Sequence, residues 1–323
     1  MQVLPLRGAG PSLPVLAGDG TARAVIWPGA GATQRSIHLI QLAPSSGTLR
    51  LEHPAESVYY VLDGSGAVAG DRPAAATPLV PGSMVHVAPG TGYRFSAGLD
   101  GLEIFGGPCP PDPALYAAGD GTDSNTAPRA GSFESTGAAA GDGTGGSTAT
   151  ATAHLRAPAP AGDGADGAHQ AAAGEDGGTA EPSITVLHQD KPALMLPLIS
   201  ADARMIAWPG NGAWTATMNY VRMRPGEENT PHTHAESEDT IVILEGRGSI
   251  DDLTHGETHE FGAGDVIHVP AGLRHAVRAN RGENVVSVGG PCPADLPFLR
   301  ACGAEIPERD QPAPGQPRRH GMP

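Results

Sequence analysis

Apolar positions fall in short runs broken by Gly and Pro: WTATMNYVRMRPG at 214–226, DTIVILEGRGSI at 239–250, HEFGAGDVIHVPAG at 259–272 and ENVVSVGGP at 283–291. Each run has strand length, and no long stretch keeps a 3.6-residue period. The pattern predicts antiparallel sandwiches or small barrels, an all-β chain. TIVILEG is rich in β-branched residues and bounded by glycine, which favours a buried strand over a helix.

The rhythm occurs twice. IWPGAGA at 26–32 returns as AWPGNGA at 207–213, and YYVLDGSG at 59–66 as VILEGRG at 242–248. PGSMVHVAPG at 81–90 returns as AGDVIHVPAG at 263–272, and GGPCP occurs at both 106–110 and 289–293. Four landmarks in one order, at offsets of 181 to 183 residues, predict a duplicated domain. Between the copies, Gly119 to Ala180 offers only Phe133 and Leu155 as bulky apolar residues, with eight acids and two arginines. Such a stretch buries too little apolar surface to offset chain entropy. The expected organisation is therefore a first domain at 1–118, a flexible disordered linker at 119–183, a second domain at 184–305 and a Pro-rich disordered tail at 306–323.

Charge and cysteine content narrow the partners. Twenty Lys and Arg against 35 Asp and Glu give a formal net charge of -15, which repels nucleic acid and anionic membranes. No apolar run approaches the roughly 18 residues of a membrane span, and the start of the chain lacks a basic segment followed by an apolar one. Three cysteines without a CxxC pair suit a reduced, cytoplasmic setting.

The candidate chemistry lies in the second copy. His232 and His234 are two apart, so on a strand both imidazoles leave one face. Glu238 or Asp239 follows, and His275 comes after the Pro270–Gly272 turn. Three imidazoles and one carboxylate suit a divalent transition metal: Fe, Mn, Ni, Co, Cu or Zn. An octahedral ion with four protein ligands keeps two positions for water, substrate or dioxygen.

Gly226, His232, His234, an acid and Gly246, followed by Gly264, Pro270, Ala271, Gly272 and His275, resemble the two motifs of the cupin superfamily. The usual closing Asn sits one place late, at Asn280. With both copies included, the chain resembles the two-domain cupins, or bicupins. The resemblance implies two β-barrel (jelly-roll) domains with a metal centre in the second, and it also allows a homodimer. Many cupins place a Glu where this chain has Asp239. Glu238 has the usual residue type, and neighbouring strand residues face opposite ways, so only one of the two can coordinate. The longer side chain favours Glu238, with Asp239 as the alternative carboxylate. Tyr220 and Arg222 share one strand face, where Arg222 would pair with a substrate carboxylate in a pocket.

Aligned on Gly64 and Gly66, the first copy places Arg50, Glu52 and Glu56 opposite His232, His234 and Glu238. Tyr93 falls opposite His275, and His53 falls in no ligand register. The first domain is therefore expected to bind no metal and to serve as a structural partner. A metal-free pocket lined by Arg50, Glu52 and Tyr93 is the rival reading. His255 and His259 are expected in a solvated hairpin. His86 and His268, kept in both copies, read as structural strand histidines, and Cys109 and Cys292 as strand-end structural residues.

Cupins with this ligand set include dioxygenases such as those acting on quercetin or acireductone. The resemblance thus implies a metal-dependent oxidoreductase of dioxygenase type acting on a small organic molecule. The same site serves isomerases, decarboxylases and lyases, and a non-catalytic small-molecule or metal binder is the reading from another class.

Overall fold

The computed structural model describes residues 1–71, 76–117, 183–191 and 193–308. The expected linker lies outside these apart from Ser183, and the expected tail apart from residues 306–308. The first half of the chain carries β1 (Gln2–Pro5), β2 (Gly20–Ile26), β3 (Ile37–Leu42), β4 (Glu56–Gly70), β5 (Thr77–Leu79), β6 (Ser83–Val87) and β7 (Tyr93–Cys109). The second half carries β8 (Ile184–His188), β9 (Leu194–Met195), β10 (Asp202–Ala207), β11 (Met218–Met223), β12 (His232–Thr233), β13 (Glu238–Glu245), β14 (Arg247–Asp252), β15 (Glu257–Gly262), β16 (Asp265–Val269), β17 (Arg274–Ala279) and β18 (Val285–Cys292). One short helix, α1 (Leu296–Ala301), follows them. The architecture is all-β, with two barrels of antiparallel strands. Among the described residues no helix is long and apolar enough to cross a membrane.

The second barrel sets a seven-stranded sheet, in order β1-β16-β13-β18-β11-β10-β9, against a four-stranded sheet, β12-β17-β14-β15. In the first barrel the order is β2-β3-β7-β4-β6-β8, with β5 on β4. There β4 and β7, 15 and 17 residues long, run through both walls where the second barrel breaks into β13 and β14, and into β17 and β18. Gly246 marks that break. It sits at φ +80°, and a Cβ there would meet the Asn284 carbonyl oxygen at 1.9 Å, so the turn and the close approach both require glycine.

Sheet membership crosses the contiguous division expected from the repeat. β1 pairs with β16 of the second barrel, Val3 opposite Ile267, while β8 pairs with β6 of the first, Val186 opposite Val85. Each copy thus lends its leading strand to the edge of the other. Both barrels belong to one compact unit.

The described residues form three apolar cores. One fills the first barrel around Tyr59, Val61, Tyr93, Phe95 and Ile104, and another fills the second around Met205, Ile243, Ile250, Ile267 and Val277. The third lies between the barrels and draws on both, with Ile37, Val58 and Phe105 meeting Met218, Tyr220, Val242 and Val288. The central strands are therefore apolar on both faces: odd residues of β13 enter their own barrel and even residues enter the junction.

Two carboxylates staple that junction in a mirrored way. Glu56 Oε2 accepts the backbone N–H groups of Trp214, Thr215 and Ala216 at 2.8, 2.7 and 3.0 Å. Glu238 accepts those of Thr33, Gln34 and Arg35 at 2.8, 3.0 and 3.2 Å, with the Thr33 hydroxyl at 2.7 Å. His86 and His268 stand at the outer edge of bonding range from these carboxylates, at 3.5 and 3.4 Å. Burial alone would raise both carboxyls, yet the converging donors hold them below the ordinary range, Glu238 at about 2. His86 and His268 are thus buried beside the two carboxylates, and the Nε2 atoms of both lack a hydrogen-bond partner.

Arg35 lies at the centre of the same junction with no exposed surface. Its Nη1 donates to Cys292 Sγ and to the Thr217 carbonyl, both at 2.8 Å, and approaches Cys109 Sγ at 3.9 Å. Burial would push the Cys292 thiol up, but the Cys109 thiol and the Arg35 guanidinium hold it below the ordinary thiol range. The repeated cysteines are thus junction residues that accompany a buried cation.

Candidate metal centre

His232 and Thr233 form β12, which pairs with β17 so that His232 stands directly opposite His275. His234 follows, held by the Gly272 N–H on its own carbonyl at 2.8 Å, and Asp239 projects from the second position of β13. One ligand atom from each of His232, His234, Asp239 and His275 lies within 4.8 Å of all the others, an arrangement that could hold a metal ion. The group spans both walls of the barrel, since β12 and β17 belong to the four-stranded sheet and β13 to the seven-stranded one.

Its chemistry fits a cation. The Nδ1 atoms of His232 and His275 lie 2.9 and 3.2 Å from the Thr230 and Leu273 carbonyls, which can only accept, so each Nδ1 carries the proton. The Nε2 lone pairs are left to face the centre. His234 Nδ1 is held at 2.8 Å by Asp295 Oδ2. Burial, reinforced by the neighbouring imidazoles, lowers His232 to about 3, and burial likewise lowers His275, so both rings are neutral, the form a metal ligand requires. His275 Nε2 and Asp239 Oδ1 are buried without a hydrogen-bond partner, orphaned lone pairs that a cation would satisfy. His234 Nε2 and His275 Nε2 lie 3.8 and 3.9 Å from Asp239 Oδ2.

The geometry corrects the carboxylate. Glu238, the expected ligand, points out of the barrel into the junction, and Asp239 points in. Neighbouring residues of one strand cannot share a face, and the amides at Thr33 to Arg35 have claimed Glu238. The three expected histidines are brought together.

A cavity of about 40 Å³ adjoins His232, Asp239 and His275, lined also by Asn219, Val221, Met223, Ile241 and Ser287. Tyr220 and Arg222, expected there, are not in it. They share a face, as alternation requires, but it is the opposite one. Tyr220 is buried in the junction core beneath the Arg204 guanidinium, and Arg222 is exposed. His255 bonds Asp252, and His259 lies in β15 near Glu257; neither joins the group of four.

The first barrel needs a correction of register. Tyr93 bridges Leu51, as His275 pairs with His232, so Leu51 and His53 occupy the ligand positions and Arg50 and Glu52 do not. The latter two are exposed and ion-paired with each other, and Arg50 also with Asp71, whereas Leu51 and His53 are buried. His53 Nδ1 is held by Asp112 Oδ2 at 2.8 Å, the match of His234 with Asp295. Ser57 stands where Asp239 does, and the Tyr93 and Tyr59 hydroxyls bond at 2.6 Å in the packed interior. The Arg50, Glu52 and Tyr93 pocket is thereby excluded.

Asp295 and Phe298 also adjoin the group, beyond the residues expected from the motifs. Asp295 caps α1, and the Phe298 ring lies 5.3 Å from both His232 and His234. Their signal was the repeat extended by two residues, GGPCPPD and GGPCPAD, which carries an Asp in each copy.

The family model described as a cupin domain matches residues 219–288, the strands that carry all four donors. The fold is similar to that of Bacillus subtilis oxalate decarboxylase, with a TM-score of 0.57 at 13% identity over 91% of this chain and 76% of that one. The second barrel is a cupin domain, and the chain has the fold of a two-domain cupin. Both motifs of its second barrel are present, with Asp239 where many cupins carry Glu and the closing Asn one place late at Asn280. Among curated proteins, this cupin is 28% identical over 115 residues to a germin-like protein of Arabidopsis thaliana, 35% of this chain and 52% of that one. It is 29% identical over 80 residues to an oxalate oxidase of Triticum aestivum, 23% of this chain and 36% of that one. The bicupin spans about half or less of the length of these relatives.

Proposed function

We propose that this bicupin is a metal-dependent enzyme acting on a small organic molecule by an oxygen-dependent, dioxygenase-type oxidation, with one divalent transition metal in the second barrel. The observation that carries the reading is the convergence of His232, His234, Asp239 and His275, with buried donor atoms of two of them left without partners. When bound, such an ion supplies Lewis-acid polarisation and a site for substrate or dioxygen. The chain's own residues do the rest. Val221, Met223 and Ile241 keep water out of the adjoining cavity, and the neutral polar groups of Asn219 and Ser287 orient what enters it. Relatives named as oxalate oxidases make small carboxylic acids the first substrates to test. The first barrel acts as a structural partner, since Leu51, Ser57 and Tyr93 stand where ligands would.

The test is elemental analysis of the purified chain, followed by oxygen-electrode assays on small carboxylic acids and enediols. The expected result is about one Fe, Mn, Ni or Zn ion per chain, lost in His232→Ala and His275→Ala, with oxygen uptake that depends on it. Equal substoichiometric metal in wild type and both variants would overturn the reading.

A further inference from the structure

We propose that Asp295 is a positioning residue of the metal centre, fixing His234 as a ligand and coupling it to the start of α1. The proposal rests on the metal reading above. The three imidazoles are not held alike. His232 and His275 lean on neutral backbone carbonyls, whereas His234 leans on a carboxylate at 2.8 Å, with both partners buried. A carboxylate acceptor fixes the tautomer and ring angle and makes the imidazole a stronger donor than a carbonyl does. Asp295 is itself fixed, because its other oxygen accepts the Phe298 N–H at 2.9 Å. One side chain thus sets both the ligand and the helix whose Phe298 ring lies against His232 and His234.

The first barrel supplies the control. Asp112 holds His53 at 2.8 Å and accepts the Ala114 N–H at 3.0 Å, so the clamp is present where no ligand set exists. What the second barrel adds is a use for the far nitrogen: His234 Nε2 faces Asp239 and His275, while the corresponding positions of the first barrel hold Ser57 and Tyr93. Both clamps anchor a chain segment, but only that of Asp295 acts on a ligand.

The experiment compares Asp295→Asn with Asp112→Asn in the full chain, using Co²⁺ as the probe. Affinity is read by competition with a chromogenic chelator, the ligand field by visible absorption, and folding by thermal melting. Asp295→Asn should bind Co²⁺ about 10 to 100 times more weakly and shift its absorption bands. Asp112→Asn should match wild type in both while melting at a similarly lowered temperature. The proposal is overturned if Asp295→Asn retains wild-type affinity and spectrum, or if the two variants weaken binding equally, since either makes the clamp only structural. A wild-type chain that takes up no stoichiometric Co²⁺ overturns the metal reading itself, and this proposal with it.

Discussion

Asp239→Asn is expected to weaken metal binding at least about 100-fold, beyond the range seen when only an orienting partner is lost, while Glu238→Gln keeps one ion per chain. The two residues are neighbours with similar side chains, so the contrast comes from strand geometry alone. Asp239 is the sole anionic member of the donor group, and its Oδ1 is buried with no other partner. Removing its charge leaves the group without an anion to hold a divalent cation. Glu238 lies across the sheet, engaged by three amides and a hydroxyl of the first barrel. Its replacement should instead appear as a lowered melting temperature with metal content unchanged. Elemental analysis and calorimetry on both variants check this, and loss of metal in Glu238→Gln with retention in Asp239→Asn would reverse the assignment.

That choice was closed to sequence for a physical reason. Face selection from sequence relies on one apolar and one polar side, but β13 is buried on both, by its own barrel and by its twin. Ile241 and Ile243 alternate with Val242 and Leu244, and hydropathy says nothing about which way Asp239 turns. The histidines were legible because HxH, the Pro-Ala-Gly turn and His275 depend on local spacing, which tertiary packing does not alter. Tyr220 and Arg222 were correctly paired on one face, yet the face was wrong for the reason that defeated Glu238. The slip at Arg50 and Glu52 has another origin. The repeat offset is 181 at the WPG segment and 182 at Gly64, and the lost residue lies between His53 and Glu56, in a connection one residue shorter than that from His234 to Glu238. Carrying the later offset back across that connection moved two exposed residues into the place of two buried ones. Asp295 was beyond any local rule, since it meets His234 from 61 residues away.

Glu56→Gln should lower the stability of the chain by about 3 kcal/mol at neutral pH, a loss of roughly 6 to 12 °C in melting temperature for a unit of this size. Three successive amides converge on one oxygen of Glu56, and a neutral amide in its place puts an N–H donor among N–H donors or leaves them a weaker acceptor. The acid limb gives the sign. The folded-state value of Glu56 is depressed, because the His86 and amide donors outweigh the burial that would raise it. Its contribution is therefore present above the unfolded carboxyl value, near about 4.3, and is lost as pH falls through the lower folded value. The melting difference between wild type and Glu56→Gln should stay constant from about pH 7 to 5 and narrow below about pH 4. A difference that persisted undiminished into acid would show that the charge of Glu56 contributes nothing. In that case the junction would depend on its apolar core, and the mirrored pair of Glu56 and Glu238 would serve only to set the register of one barrel on the other.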